Sequence, residues 1–207
     1  MTDAGEAAAG DGRTARRERN REAVVTALLE LYREGVMMPS ADEIAARAGV
    51  SARSLFRYFA DVDDLAFAAV ARQAEHLMPL LALDLPAEAS IDDRIDAFVA
   101  ARLRLLEAMG EVGRVARFRA GMQPVVAEGL ARVREIMREH VVEALGPALD
   151  GRSGDERRSV VAAADVLCSW EAHDLMRRDQ GLSGEETAAA MGLALRRLLA
   201  DAAHPAR

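Results

Sequence analysis

Apolar residues recur at three- and four-residue intervals almost from end to end of this chain. Nowhere do they alternate in the two-residue rhythm of a strand, so the predicted fold class is all-α, with about nine helices. Val24, Leu28, Leu31 and Tyr32 stripe a helix from about Thr14 to Glu34, where Gly35 supplies a left-handed stop. Ser40 with Glu43 forms a capping box for a short helix that lasts to about Ala48, and Gly49 permits a sharp turn. Ser51 caps a second short helix, and Asp61 caps a longer one that starts "VDDLAFAAVARQAEHL". Ser90 opens a helix with Ile91, Ile95, Phe98, Val99, Leu103 and Leu106 on one face. A short helix is framed by Gly110 and Gly121, and another runs from Pro124 until Gly146 and Pro147 close it. Ser153 with Glu156 starts a helix reaching about Arg178, and Ser183 with Glu186 starts the last one, ending near Ala203.

This punctuation divides the chain into three parts. Residues 1–13, rich in Ala, Gly and acids, are expected to be a disordered tail. Residues 14–65 form a three-helix domain whose second and third helices, two turns each around a Gly-containing turn, are a helix-turn-helix. Residues 66–207 form a larger helical domain.

Charge sharpens the division. The net charge is −7, from 27 basic and 34 acidic residues, which argues against indiscriminate nucleic-acid binding. Residues 13–60 nevertheless hold nine arginines against six acids, a mildly basic segment on an acidic body. No apolar run approaches the roughly 20 residues of a membrane span. The acidic start lacks the charge and apolar centre of a secretion signal, so a cytoplasmic location is expected, without membrane association. The single cysteine, Cys168, can make neither an intramolecular disulfide nor a thiolate metal site alone.

Three of the eight aromatics fall in "VSARSLFRYF", residues 50–59. On a helix starting at Ala52, Leu55 and Phe59 face inward, with Phe56 over part of the same small core. Ala52, Arg53, Ser54, Arg57 and Tyr58 then lie toward the outside. Small residues let a backbone approach the major groove closely, and Arg donates two hydrogen bonds to guanine O6 and N7. Ser40, Ser51 and Tyr58, with the amides of both helix starts, are candidate phosphate contacts, as are Arg16 and Arg17 before the first stripe.

The stretches "REAVVTALLELYREGV" and "PSADEIAARAGVSARSLFRYFADVDDL", within residues 21–65, resemble the DNA-binding domain of the TetR family of bacterial transcriptional regulators. Val24, Ala27 and Gly35 match the first-helix pattern. Ser40, Ile44, Ala45, Gly49, Val50 and Ser51 match the helix-turn-helix, and Leu55, Phe59, Asp61 and Leu65 match the stretch leading into the fourth helix. Three positions depart from it: Phe56 where the family often has Tyr, Tyr58 where it has His, and Val62 where it has Lys. The last removes a charge at the start of the fourth helix, between acidic neighbours.

The resemblance implies double-stranded DNA with a palindromic operator as partner, and a homodimer through the last two helices. Val160, Val161, Ala164, Leu167, Cys168 and Leu175 offer one apolar face for it, with Ala188, Met191, Leu195, Leu198 and Leu199 on the other helix. It also implies a pocket among helices five to eight for a small, largely apolar effector. Candidate lining residues are Phe98, Leu105, Met109, Phe118, Met122, Met137 and Trp170, with Arg102, Arg117 or His173 as polar handle. No cofactor is implied. None of the four histidines has a Glu three residues before it, and neither a nucleophile pairing nor a phosphate loop occurs, so no metal or catalytic residue is expected. The reading is a ligand-released repressor rather than an enzyme, the alternative being an activator or a partner-gated regulator without a small ligand.

Overall fold

A computed structural model describes residues 3–83, 85–86 and 88–201, with side chains considered from Thr14 to Ala200. Among the described residues the chain is helical and contains no strand. It divides into two compact units, Met1–Glu75 with Gly110–Leu130, and His76–Met109 with Ala131–Arg207. This differs from a division at residue 65, because a later stretch of chain returns to complete the N-terminal unit.

That first unit contains α1 (Asp3–Arg33), α2 (Ala41–Arg47), α3 (Ala52–Tyr58) and most of α4 (Val62–Leu77). The segment expected to be a disordered tail is instead drawn into α1, which begins at Asp3 rather than near Thr14. The core of this unit joins Val24, Leu28 and Tyr32 of α1 to Ile44 and Ala45 of α2 and to Leu55 and Phe59 at α3. Val112 and Val115, from the far end of the later helix α5 (Ile91–Ala120), belong to the same cluster.

The starts and stops obey the capping chemistry. Ser40 and Glu43 make the full capping box, and Ser51 accepts the Ser54 amide. Asp61 Oδ1 accepts the Asp64 amide at 2.8 Å. Gly49, at φ +68°, makes the left-handed turn between α2 and α3. An added Cβ there would meet nothing within 4 Å, so the backbone angle alone selects glycine.

The second unit is built from the first part of α5 and most of α6 (Pro124–Leu149). It also contains α7 (Gly154–Leu167), α8 (Trp170–Asp174), which loosens into a wider turn over Leu175–Asp179, and α9 (Gly184–Asp201). Its core runs from Ile95, Phe98 and Leu106 through Val141, Leu145 and Leu149 to Cys168, Met191 and Leu195. The chain leaves helical geometry at Gly110 (φ 42°, ψ −135°), where the sequence expected a new helix, and α5 crosses from one unit to the other there.

Two boundaries depart from expectation. Pro147 does not end α6, which continues to Leu149. Leu149 is buried, and Arg152 Nε donates to the Ala148 carbonyl at 2.9 Å, so packing and a side-chain cap carry the helix past the proline. The helix expected over 153–178 is interrupted at Cys168 (φ −109°, ψ 21°), and Ser169 restarts it by accepting the Ala172 amide at 3.1 Å.

Gly49→Ala should destabilise the first unit by about 1–2 kcal/mol, and Gly49→Asn by less, because Asn tolerates the left-handed region. Denaturant unfolding of the two variants beside the parent measures the difference, and equal stabilities would exclude backbone strain as the constraint.

Candidate nucleic-acid interface and effector core

The recognition element is α3, and its phase on the core decides which side chains face solvent. Leu55, Tyr58 and Phe59 are buried, whereas Arg53, Phe56 and Arg57 are exposed. Two expectations therefore exchange places: Tyr58 belongs to the core and Phe56 to the outer face. The reason is helical spacing. Tyr58 lies three residues after Leu55 on the inward side, and Phe56 lies three after Arg53 on the outward side. The Tyr58 hydroxyl accepts from Asn20 Nδ2 at 2.9 Å and from Arg57 Nη2 at 3.2 Å. Those bonds, from Asn20 first and Arg57 second, lower its pKa and tie α3 to α1.

The other expected contacts have distinct surroundings. Arg53 is exposed and makes no ion pair or hydrogen bond among the described residues. Ala52 and Ser54 are half-buried beside it. The Ser51 hydroxyl donates to Ser54 Oγ at 3.0 Å and accepts the Ser54 amide. The Ser40 hydroxyl is committed to Glu43, donating to Oε2 at 2.7 Å, so a carboxylate already occupies the place where a phosphate would sit. Arg16 and Arg17 are exposed on α1. Arg21 instead lies over the Phe59 ring at 4.9 Å, and it pairs with Glu18 at 3.9 Å. Val62 is exposed at the start of α4, between Asp61 and Asp63.

A polar relay supports this unit from behind. Arg119 Nη1 donates to the Met37 carbonyl at 3.1 Å in the loop before α2, and its guanidinium lies 5.6 Å from the Tyr32 ring. Its Nε donates to Gln123 Oε1 at 2.8 Å, and Gln123 Nε2 donates to Asp63 Oδ1 at 2.9 Å. The end of α5 thus holds both the approach to α2 and the start of α4.

In the second unit, Phe98, Arg102, Leu105, Met109, Met137, Trp170 and His173 are all buried. Phe118 and Met122 are not: they are 52% and 53% exposed and, with Arg117, fall in the first unit. Arg117 Nη1 donates to the Gly113 carbonyl at 3.1 Å. The part of α5 that carries Arg117 and Phe118 follows the break at Gly110, and Met122 lies in the turn after it. The deepest polar group is Arg102, with no exposed surface. Its Nη2 donates to the Met137 carbonyl at 2.6 Å and lies 3.5 Å from His140 Nδ1, and its guanidinium stacks 4.9 Å from the Phe98 ring. A surface groove of about 450 Å³ lies elsewhere, along Glu135, Arg138, Glu139, Val142, Glu143 and Val161. Among the described residues no group of His, Cys, Asp and Glu could hold a metal ion, and no helix is long and apolar enough to cross a membrane.

Residues 26–69 match the profile of the family described as bacterial regulatory proteins, tetR family. That stretch is similar to the DNA-binding part of the TetR family. Among solved structures, similarity extends to a transcriptional regulator from Rhodococcus sp. Rha1, at 19% identity and TM-score 0.65, covering 89% of this chain and 96% of that one. A protein assigned to the TetR-family transcriptional regulators, from Rhodococcus sp., aligns at 17% identity and TM-score 0.66 over 89% and 99% of the two chains. A transcriptional regulator from Pseudomonas aeruginosa PAO1 aligns at 17% identity and TM-score 0.65 over 92% and 93%. These likenesses establish the fold across the chain. Among curated proteins, none matches it.

The residue that sequence reasoning passed over is His140. It is buried, packs with ring centroids 5.0 Å from Phe98, and touches Arg102. Its signal was position: it lies three residues after Met137, on the inward face of α6. Burial first, and the Arg102 charge second, hold its pKa down to about 4 from the usual 6.5, against a smaller opposite pull from the Leu81 backbone. Burial raises the neighbouring Cys168 thiol to about 12, so that sulfur stays protonated and unreactive.

The His140 shift has a defined sign. The unfolded chain takes up a proton below pH 6.5 and the folded protein does not until about 4, so this contribution is complete above 6.5 and lost as pH falls toward 4. His140→Gln should flatten the plot of denaturant midpoint against pH in that window. An unchanged slope there would assign the acid sensitivity to other groups.

Proposed function

We propose that the protein is a repressor that binds a palindromic operator as a homodimer and is released when a small molecule occupies the second unit. The fold and family are those of DNA-binding transcription regulation. The observation that carries the reading is the exposed face of α3, where Arg53, Phe56 and Arg57 stand together on a helix anchored by its opposite side. Arg53 and Arg57 suit guanine edges, and the exposed Phe56 ring suits a thymine methyl group. Backbone amides at the capped start of α3, with Arg16 and Arg17, supply phosphate contacts. The acidic residues around Val62 make the start of α4 a weak backbone contact.

One such helix buries too little surface to hold an operator, and a second copy one duplex turn away, about 34–36 Å, completes the site. The apolar residues expected to form the dimer face are largely spoken for. Val160, Val161, Ala164, Cys168, Met191, Leu195 and Leu199 lie in the subunit's own core. Val166 on α7 and Leu193 on α9 remain outside, at 67% and 59% exposure, and these two adjacent helices present them for subunit pairing. Effector release acts through differential affinity: the ligand stabilises a state in which the two α3 helices are wrongly spaced.

With an operator selected from random duplexes, Arg53→Ala should lose discrimination at one base pair per half-site, a cost of about 1–3 kcal/mol per contact. Quantitative gel shifts over single-base variants read this, and an intact preference at every position would remove Arg53 from the readers. Leu193→Arg should convert the dimer to a folded monomer by sedimentation and weaken operator binding at least tenfold. If sedimentation is unaltered, the subunits pair elsewhere.

A further inference from the structure

We propose that Arg102 anchors an anionic effector, a carboxylate-bearing molecule with an apolar body held inside the second unit. The inference rests on reading that unit as the effector domain and names the chemical class it takes.

The starting point is an imbalance of donors. Arg102 has no exposed surface and remains a cation, since guanidinium does not give up its proton in proteins. One of its nitrogens, Nη2, is used by the Met137 carbonyl. Among the described residues, Nε and Nη1 have no hydrogen-bond partner, which leaves three N–H bonds without an acceptor. His140 adds to the excess. Its Nδ1 faces Arg102 Nη2 and serves as the acceptor, which places the ring proton on Nε2. That nitrogen too is buried with no partner in ordinary hydrogen-bond geometry, the Leu81 backbone being the hydrogen-bonding group that bears on the ring. Every orphaned group at this place is therefore a donor, and a ligand that satisfies them must bring acceptors.

Charge points the same way. No carboxylate hydrogen-bonds to Arg102 among the described residues. Asp165 acts on it only through its field and pairs with Arg138 at 3.6 Å. The Phe98 face compensates part of the charge but accepts no directed hydrogen bond of ordinary strength. A buried cation left in this condition is costly, and an anionic head group would offset that cost where a neutral one would not. The rest of the ligand is set by the surrounding core: Met137 touches Arg102, Leu105, Met109 and Trp170 belong to the same buried cluster, and the two methionines have flexible chains that can move aside. The surface groove along α6 is a poor rival for an anion, because Glu135, Glu139 and Glu143 line it.

The test uses the full-length protein without DNA. Isothermal titration calorimetry compares octanoate, decanoate and 4-phenylbutyrate with the alcohols of the same carbon skeletons. At least one carboxylate should bind tenfold or more tightly than its matched alcohol. Arg102→Met should abolish that preference while keeping the helical circular-dichroism spectrum, and Arg102→Lys should restore part of it. If Arg102→Met does not fold, Arg102→Lys and the head-group comparison on the parent decide. The proposal is overturned if no carboxylate outbinds its alcohol, or if the preference survives in full in folded Arg102→Met. Selective carboxylate binding that leaves operator affinity unchanged would support the Arg102 site and count against effector release. Operator binding with no head-group preference would do the reverse.

Discussion

The DNA-facing geometry depends on how α3 docks against α1. A helix of seven residues has too few hydrogen bonds to persist alone in water, so it exists here because Leu55, Tyr58 and Phe59 are buried. The same contact sets its rotation. With those three side chains inward, Arg53, Phe56 and Arg57 must point away, and no loop adjustment can change which residues are offered to a duplex. Hydrogen bonds from Asn20 and Arg57 to the Tyr58 hydroxyl fix the helix about its axis more tightly than apolar packing alone, because they are directional.

That small core is closed by a part of the chain distant in sequence. Val112 and Val115 join it, and Arg119 reaches the Met37 carbonyl and, through Gln123, Asp63. The helix that contributes them begins in the other unit and leaves helical geometry at Gly110, and α6 is likewise divided after Leu130. Both helices thus give each unit a covalent connection to the other.

The two units manage polar groups differently. In the first, Tyr58 is matched with Asn20, and Arg119 with Met37 and Gln123. In the second, Arg102 and His140 keep donors without acceptors in an apolar interior. Matched groups confer rigidity and a unique arrangement, which suits a surface that reads a fixed duplex. Unmatched groups lower the stability of their surroundings and leave energy to be gained on binding.

Much of the local structure was legible in the sequence because it is chosen within a few residues. The box at Ser40 and Glu43, the caps at Ser51, Asp61 and Ser183, and the left-handed glycines at 35, 49 and 181 are contests between neighbouring backbone and side-chain groups. The motif over 21–65 carried the fold class and the family resemblance for the same reason. What periodicity could not decide was the partner of each apolar face. Tyr58 and Phe56 exchanged roles because a two-turn helix with aromatics on both sides has no internal reference for its inward direction. Phe118 and Met122 lie exposed, Val112 and Val115 joined the core of the first unit, and most residues expected on the dimer face lie in the subunit's own core while Leu175 is exposed. Leu149 carried α6 past Pro147 by the same cause: burial energy depends on what lies opposite in space, and only the tertiary fold brings those residues face to face.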